Sequence, residues 1–203
     1  MPRVTFGAVV LAGYLFGSCP WGYWLVRIFR GEDVRTSGSG NIGATNVWRS
    51  YGRSLGVPVV LLDLLKGFAP AFVGMVAVSQ LCGVVAGAAA MLGHWRPLYL
   101  RFEKGGKMVA TGAGVFLAVA LWVGLIAGAV WASIFVLTRY ASVASIVAAV
   151  SIPVSAAALG YSAAVIAFGA IAAASVIALH RGNLRRLRAG TERRVRLRRT
   201  AHV

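Results

Sequence analysis

The sequence predicts an all-α, polytopic integral membrane protein of seven transmembrane helices, N-terminus outside and C-terminus inside. Three observations carry that expectation. Of 203 residues, 59% are hydrophobic and 13% charged, with a mean hydropathy of +0.76, which is more apolar than a soluble domain of this size. The apolar residues gather in four runs with few or no charges, 4–26, 54–93, 108–138 and 140–179. The 21 Lys and Arg outnumber 5 Asp and Glu, for a net charge of +16, and nearly all sit in short segments between those runs or after the last of them. That arrangement points to membrane topology and anionic ligands, and away from nucleic acid.

The first run holds 23 uncharged residues and reads as one span. It is too long for the apolar region of a cleaved leader, despite the small residues before Cys19. The second and fourth runs hold 40 residues each. A crossing needs roughly 20, so each is a helix pair, with turns expected at 78–82 and 159–161. The third run has 31 residues, long for one helix and short for two.

Charge decides the third run. Segment 27–53 carries five arginines, 94–107 four basic residues and 180–203 nine arginines. Two helices in the third run put all of these on one side, which the positive-inside rule makes cytoplasmic. Each helix is then only about 23 Å long, short of the roughly 30 Å hydrocarbon core. A neighbouring loop therefore dips into the membrane, where non-helical backbone survives only when buried or lining a wet cavity. The whole chain, 1–203, reads as one membrane-embedded domain, with 181–203 a basic cytoplasmic tail. Cys19 and Cys82 lie inside apolar runs and imply neither a disulfide framework nor a metal site.

Four segments carry candidate chemistry. "GSGNIGATN" at 38–46 supplies Gly38, Gly40 and Gly43, the hydroxyls of Ser39 and Thr45, and the amides of Asn41 and Asn46. Such a loop is a flexible linker or a nest of inward N–H groups suited to an anion, and Arg35, Arg49 and Arg53 add guanidinium forks that match phosphate. "GHWRPLYLRFEKGGKMVAT" at 93–111 places Gly105 and Gly106 between Lys104 and Lys107, ahead of a helix start, a second anion site in prospect. His94 reads as a histidine fixed at the interface by a backbone bond, with catalysis the alternative.

"LLDLLKG" at 61–67 sets Asp63 and Lys66 three residues apart inside an apolar run. That spacing allows them to pair, and their expected role is structural. "LHRGNLRRLRAGTERR" at 179–194 reads as a polybasic segment for an anionic leaflet, yet His180 and Asn183 share a helix face. Glu192 is the only acid in the tail and is expected to pair internally.

Taken together, "GSCPWGYWL", "GSGNIGATNVWR", "LLDLLKG", "GHWRPLYLRF" with "GGK" and "VAT", "TRYASVASI" and "HRGNLRRLRAGTE" resemble, in this order, the bacterial acyl-phosphate:glycerol-3-phosphate acyltransferases (PlsY). The resemblance runs nearly end to end. It implies a seven-helix enzyme of the bacterial inner membrane with a cytoplasm-facing site. The implied reaction is acyl transfer from fatty acyl phosphate to the 1-hydroxyl of sn-glycerol 3-phosphate, giving lysophosphatidic acid and phosphate. By the family's motifs Ser39, Arg49, His180 and Asn183 are catalytic. Gly38, Gly40, Asn41, Gly43 and Thr45 hold the acyl phosphate. Arg49, Gly105, Gly106, Lys107, His180 and Asn183 bind glycerol 3-phosphate, with Ser142 or Ser145 beside Arg139 completing that pocket, while Glu192 is structural.

No cofactor or metal is expected; the partners are the two substrates and membrane lipid, with no nucleic acid. An activated donor asks mainly for positioning and charge neutralisation. Direct transfer is favoured over an acyl-Ser39 intermediate, with His180 or the donor phosphate as base. Two departures, Glu103 and Met108 in "FEKGGKMVAT", place a carboxylate near the phosphate site and a side chain where the family has glycine. They open the alternative of another acceptor. A small carrier or channel for organophosphates is the rival from a different class.

Overall fold

The structure is a computed structural model that describes residues 2–195. Ten α-helices are present among them: α1 Pro2–Gly17, α2 Trp21–Arg30, α3 Ala44–Tyr51, α4 Arg53–Ala77, α5 Gln80–Trp95, α6 Val109–Val119, α7 Leu121–Thr138, α8 Ala141–Ala158, α9 Ala163–Leu179 and α10 Arg181–Arg188. Short 3-10 turns occupy Val34–Thr36 and Leu98–Leu100. The expected basic tail is helical at its start, and its residues 196–203 lie outside the described part.

The helix boundaries follow local chemistry. The first run was expected to be one helix over 4–26; it breaks at 18–20 and continues to Arg30. Pro20 has no N–H to donate back along the helix, so the ladder lapses before α2 begins. Gly31 then ends α2 at φ 69°, its N–H returning to the Arg27 carbonyl. The Ser79 hydroxyl caps α5 by accepting from Cys82 N, inside the turn expected at 78–82. Gly160, at φ 69°, turns the chain between α8 and α9. The third run does contain two helices, parted at Ala120, but unequally. α6 has 11 residues, about 16 Å, and α7 has 18, about 27 Å.

The apolar segments expected from the four runs are thus α1–α2 and α4 to α9. By length and composition, four helices can cross a membrane: Arg3–Arg30, α4, α7 and α8. The pair α9 and α10, bent by 55°, makes a fifth if counted as one broken span. Small residues bring these helices together, as expected where lipid removes the hydrophobic drive and packing must hold them. A Cβ on Gly67 would stand 2.0 Å from the Thr111 carbonyl oxygen, and one on Gly114 2.0 Å from that of Leu64. Alanine at either place would push α4 and α6 apart.

The main core lies among α4 to α9, around Val115, Phe116, Val123, Ile152, Val165 and Phe168. A second core of Val26, Val34, Ile42, Val47, Leu55, Val59 and Leu100 joins α2, α3, the start of α4 and the 98–100 turn. This smaller core seats the polar segment 31–43 against the bundle.

Candidate active site

Segment 31–43 is held from beneath by one amide. Asn46, buried near the start of α3, donates through Nδ2 to the carbonyls of Ser37 (3.0 Å), Asn41 (2.9 Å) and, longer, Val34 (3.4 Å). Its Oδ1 accepts from Ser39 N at 2.9 Å. Gly38 and Gly40 supply left-handed turns at φ 62° and 67°. At Gly38 a Cβ would also meet Asn46 Oδ1 at 2.3 Å. The loop leaves Ser39 exposed on its open side. Asn41 turns inward: its Oδ1 accepts from Gly43 N (2.8 Å) and its Nδ2 donates to the Gly105 carbonyl (3.1 Å). That last bond ties the first glycine segment to the second.

The second segment is built differently. Gly105 N donates to the Trp95 carbonyl and Gly106 N to that of His94, both at 2.9 Å. The last carbonyls of α5, which have no partner inside the helix, take up the N–H groups that the sequence offered to an anion. Lys107 follows, and its ammonium donates to Asn183 Oδ1. Burial first, then the nearby Arg186, push the Lys107 amine down to about 8.

The third wall is α10 with 191–195. Glu192 is buried and accepts from Asn183 Nδ2 (2.6 Å), Ser142 Oγ (2.9 Å) and Arg186 Nε (2.7 Å). Burial alone would raise this carboxyl, but those bonds prevail and hold it below its usual range. His180 is buried at the bend between α9 and α10, Nδ1 against the Val176 carbonyl at 2.8 Å. That carbonyl selects the Nδ1–H tautomer, and burial followed by the Lys107 charge presses the imidazole down to about 4. Further along, Val195 N donates to the Arg139 carbonyl, so this part of the expected tail is docked on the bundle.

These walls enclose an open cavity of about 1620 Å³. Its lining includes Gly38, Ser39, Asn41, Arg49, Lys104, Lys107, Asn183, Arg186 and Glu192, with Arg30, Arg53, Arg96, Arg181, Arg185, Arg193 and Arg194 around them. Glu192 is the single carboxylate among the lining residues. Arg49 donates through Nη2 to the Arg193 carbonyl at 2.6 Å, while its Nε is buried with no hydrogen-bond partner. Burial lowers its pKa, though a guanidinium there stays charged. Seen chemically, this is a concave, cationic site with the Ser39 hydroxyl at its open side and the unpartnered Arg49 Nε in its wall.

Several expected site residues stand behind the lining instead of on it. Ser142 is bonded to Glu192, and Ser145 donates to the Ala141 carbonyl while accepting from Trp131 Nε1. Gly40, Gly43, Thr45, Gly105, Gly106 and His180 are also off the lining surface. Glu103 is drawn away from the cavity by Arg35, which pairs with Asp33 as well. Met108 sits at φ 65° but buries its side chain in the main core.

A family model described as glycerol-3-phosphate acyltransferase matches residues 7–190. The chain belongs to this family. Among curated relatives, the glycerol-3-phosphate acyltransferase of Roseiflexus sp. (strain RS-1) is 45% identical over 199 residues, 96% of this chain and 97% of that protein. That of Myxococcus xanthus (strain DK1622) is 42% identical over 189 residues, 92% and 98% of the two chains. Two crystal structures of PlsY (YgiH), an integral membrane glycerol 3-phosphate acyltransferase, share the fold. The glycerol 3-phosphate form gives a TM-score of 0.91 at 39% identity, and the lysophosphatidic acid form 0.87 at 38%; each covers 95% of this chain and 96% of its own.

Within this glycerol-3-phosphate acyltransferase fold, Arg186 and the Arg193 backbone are the site groups that sequence reasoning missed. Both lie in an arginine-rich run where no spacing distinguishes one residue from the next. In the sequence Asn46 is one amide of the loop among two; its part as organiser depends on the folded contacts to Val34, Ser37 and Asn41.

Proposed function

We propose that this acyltransferase moves a fatty acyl group from an acyl phosphate to the 1-hydroxyl of sn-glycerol 3-phosphate. The observation that carries the reading is the cationic cavity, with Arg49 Nε buried and unpartnered in its wall and Lys107 opposite Glu192 and Asn183. Two phosphates must be held close together in this reaction, and a site crowded with cations offsets their repulsion.

In this reading Arg49 and the 38–46 loop take the donor phosphate, with Ser39 as its hydroxyl partner. Lys107, oriented by Asn183, takes the phosphate of the acceptor, and Glu192 fixes Asn183 and Arg186 in place. Gly105 and Gly106 act through the position they give Lys107. The acceptor hydroxyl oxygen attacks the acyl carbonyl carbon and the carbon–oxygen bond to phosphate breaks. The hydroxyl proton goes to an oxygen of the departing phosphate, so lysophosphatidic acid and inorganic phosphate leave. His180, pressed down to about 4, is a weak base near neutral pH, which favours the donor phosphate in that role. Its place between α9 and α10 suits it to shaping the acceptor pocket.

The membrane reading extends to seven crossings by α1–α2 and α4 to α9 in the bacterial inner membrane, with the cavity facing the cytoplasm. Its support is that the basic segments 27–53, 94–107 and 180–194 contribute to one site, so one face of the membrane carries them. Phosphate release by purified protein given palmitoyl phosphate, with and without glycerol 3-phosphate, tests the reaction. Release should require the acceptor and vanish in Ser39→Ala. No release from folded wild-type protein would overturn the donor assignment.

A further inference from the structure

A buried ionic cluster lies beneath the Lys107 loop. Asp63 and Lys66 are 2% and 0% exposed, yet Lys66 Nζ sits 2.9 Å from Asp63 Oδ1 and donates to the Cys19 carbonyl at 2.8 Å. That carbonyl is at the α1–α2 break, where it also accepts from Trp21 N at 3.1 Å. A buried charge pair in a membrane protein is expensive and marks function by default.

The cluster continues upward. His94, at the end of α5 and 3% exposed, places Nδ1 at 3.7 Å from Asp63 Oδ1, with no hydrogen-bond partner. The other edge of the same ring faces Gly106. A Cβ built there would stand 1.9 Å from His94 Nε2, 2.3 Å from Cε1 and 2.8 Å from Cδ2. All three nearest atoms belong to the imidazole. The His94 carbonyl meanwhile accepts from Gly106 N. Ring and carbonyl together fix both sides of Gly106, and the next residue is Lys107.

We propose that His94 is a positioning residue for the acceptor phosphate: its ring, held over the Asp63–Lys66 pair, is the platform on which Gly106 rests and from which Lys107 is aimed into the cavity. The inference rests on the reading of Lys107 as a substrate ligand. It gives the intramembrane ion pair a role in binding, beyond anchoring a helix. It also explains glycine at 106 by contact with one side chain, since its backbone conformation is open to any residue.

A double-mutant cycle between His94 and Gly106 tests it. Gly106→Ala alone should raise KM for glycerol 3-phosphate about tenfold or more, because the new Cβ lifts the loop off the ring. His94→Ala should raise KM several-fold, leaving kcat at saturating acceptor within about threefold. The double variant should bind the acceptor better than Gly106→Ala alone, since the atoms in the way are gone. His94→Phe, which keeps a flat ring, should hold KM within about twofold of wild type.

Additive effects, or a His94→Phe protein as impaired as His94→Ala, would overturn the proposal. Should His94→Ala not yield folded protein, His94→Asn removes the two nearest ring atoms, Nε2 and Cε1, and the cycle is run with it. If the wild type releases no phosphate, the proposed reaction fails, and the same four proteins are compared by calorimetric binding of glycerol 3-phosphate. Coupling there still supports the platform. A wild type that neither turns over nor binds overturns both readings.

Discussion

The two glycine segments of the site use the same residue for opposite reasons. In the first, Gly38 and Gly40 adopt left-handed backbone at φ 62° and 67°, and the loop they shape is pinned by the Asn46 side chain. In the second, neither Gly105 nor Gly106 has a positive φ; their Cβ positions are filled by the end of α5, the His94 carbonyl oxygen lying 2.1 Å from one and the His94 ring 1.9 Å from the other. The first segment needs glycine for conformation, with proximity added at Gly38, and the second for proximity alone. The left-handed conformations near the second segment fall instead on Arg101, Phe102 and Met108. A glycine count alone cannot separate these cases, but substitution can.

The sharpest break should come at Asn46. Its amide serves three carbonyls and the Ser39 N–H, so Asn46→Ala leaves several buried groups unpaired at about 1–3 kcal/mol each. Acyl transfer should fall by about 100-fold or more, with a clear drop in thermal midpoint. Asn46→Asp should be no better, because it keeps the acceptor for Ser39 N and loses both donors. A carboxamide-free variant with wild-type phosphate release would show that the first loop holds itself.

How much of this was legible beforehand depends on range. Helix pairs, the 78–82 and 159–161 turns and the split of the third run follow from apolar length and charge balance. The Asp63–Lys66 pair follows from i,i+3 spacing, and it forms at 2.9 Å. The break at 18–20 is legible in Pro20, which interrupts a 23-residue apolar run. What stayed hidden were contacts across the chain. The carbonyls at the end of α5 absorb the Gly105 and Gly106 N–H groups, and the Ser142 hydroxyl goes to Glu192 fifty residues away. Local pattern reports what a segment can donate, not which neighbour will take it.

Lys107 offers a graded test of the second segment. Its amine is pressed down to about 8, so the free enzyme loses this positive charge as pH rises through that value. Phosphate binding favours the charged form and restores the proton. Apparent KM for glycerol 3-phosphate should therefore climb by up to about tenfold per pH unit above 8, while kcat at saturation stays nearly flat. In Lys107→Arg the climb should disappear, since a guanidinium keeps its proton. A KM that ignores pH between 7 and about 9.5 in the wild type would remove Lys107 from the acceptor site.

Met108 tests the conformational half of the comparison from the other side. Here a residue with a side chain occupies the left-handed region, at about 1–2 kcal/mol of strain, while burying that side chain in the core. Met108→Gly relieves the strain and forfeits the burial, and losing a buried Met side chain costs about 2–5 kcal/mol. The net expectation is a protein about 1–3 kcal/mol less stable whose kcat and KM are unchanged, because Met108 does not line the cavity. A marked gain in acceptor affinity would mean that its side chain does obstruct the backbone there.

Glu103 should matter least, although a carboxylate close to a phosphate site looks harmful on paper. Its side chain is 61% exposed and engaged by Arg35, whose guanidinium also grips Asp33. The resulting tie links the start of the first segment to the second at the rim, outside the cavity lining. Exposed pairs of this kind contribute about 0–1 kcal/mol and weaken with salt. Glu103→Gln should accordingly shift the thermal midpoint by no more than a degree or two and leave KM for glycerol 3-phosphate within about twofold. Arg35→Ala is the informative partner. It frees Glu103 and Asp33 together, so a KM that rises in Arg35→Ala and recovers in the Arg35→Ala, Glu103→Gln double variant would show that Arg35 keeps the Glu103 carboxylate away from the proposed acceptor site. Equal KM values in all three proteins would make the tie a matter of loop order alone, and the contrast between the two segments would then rest on Asn46 and His94.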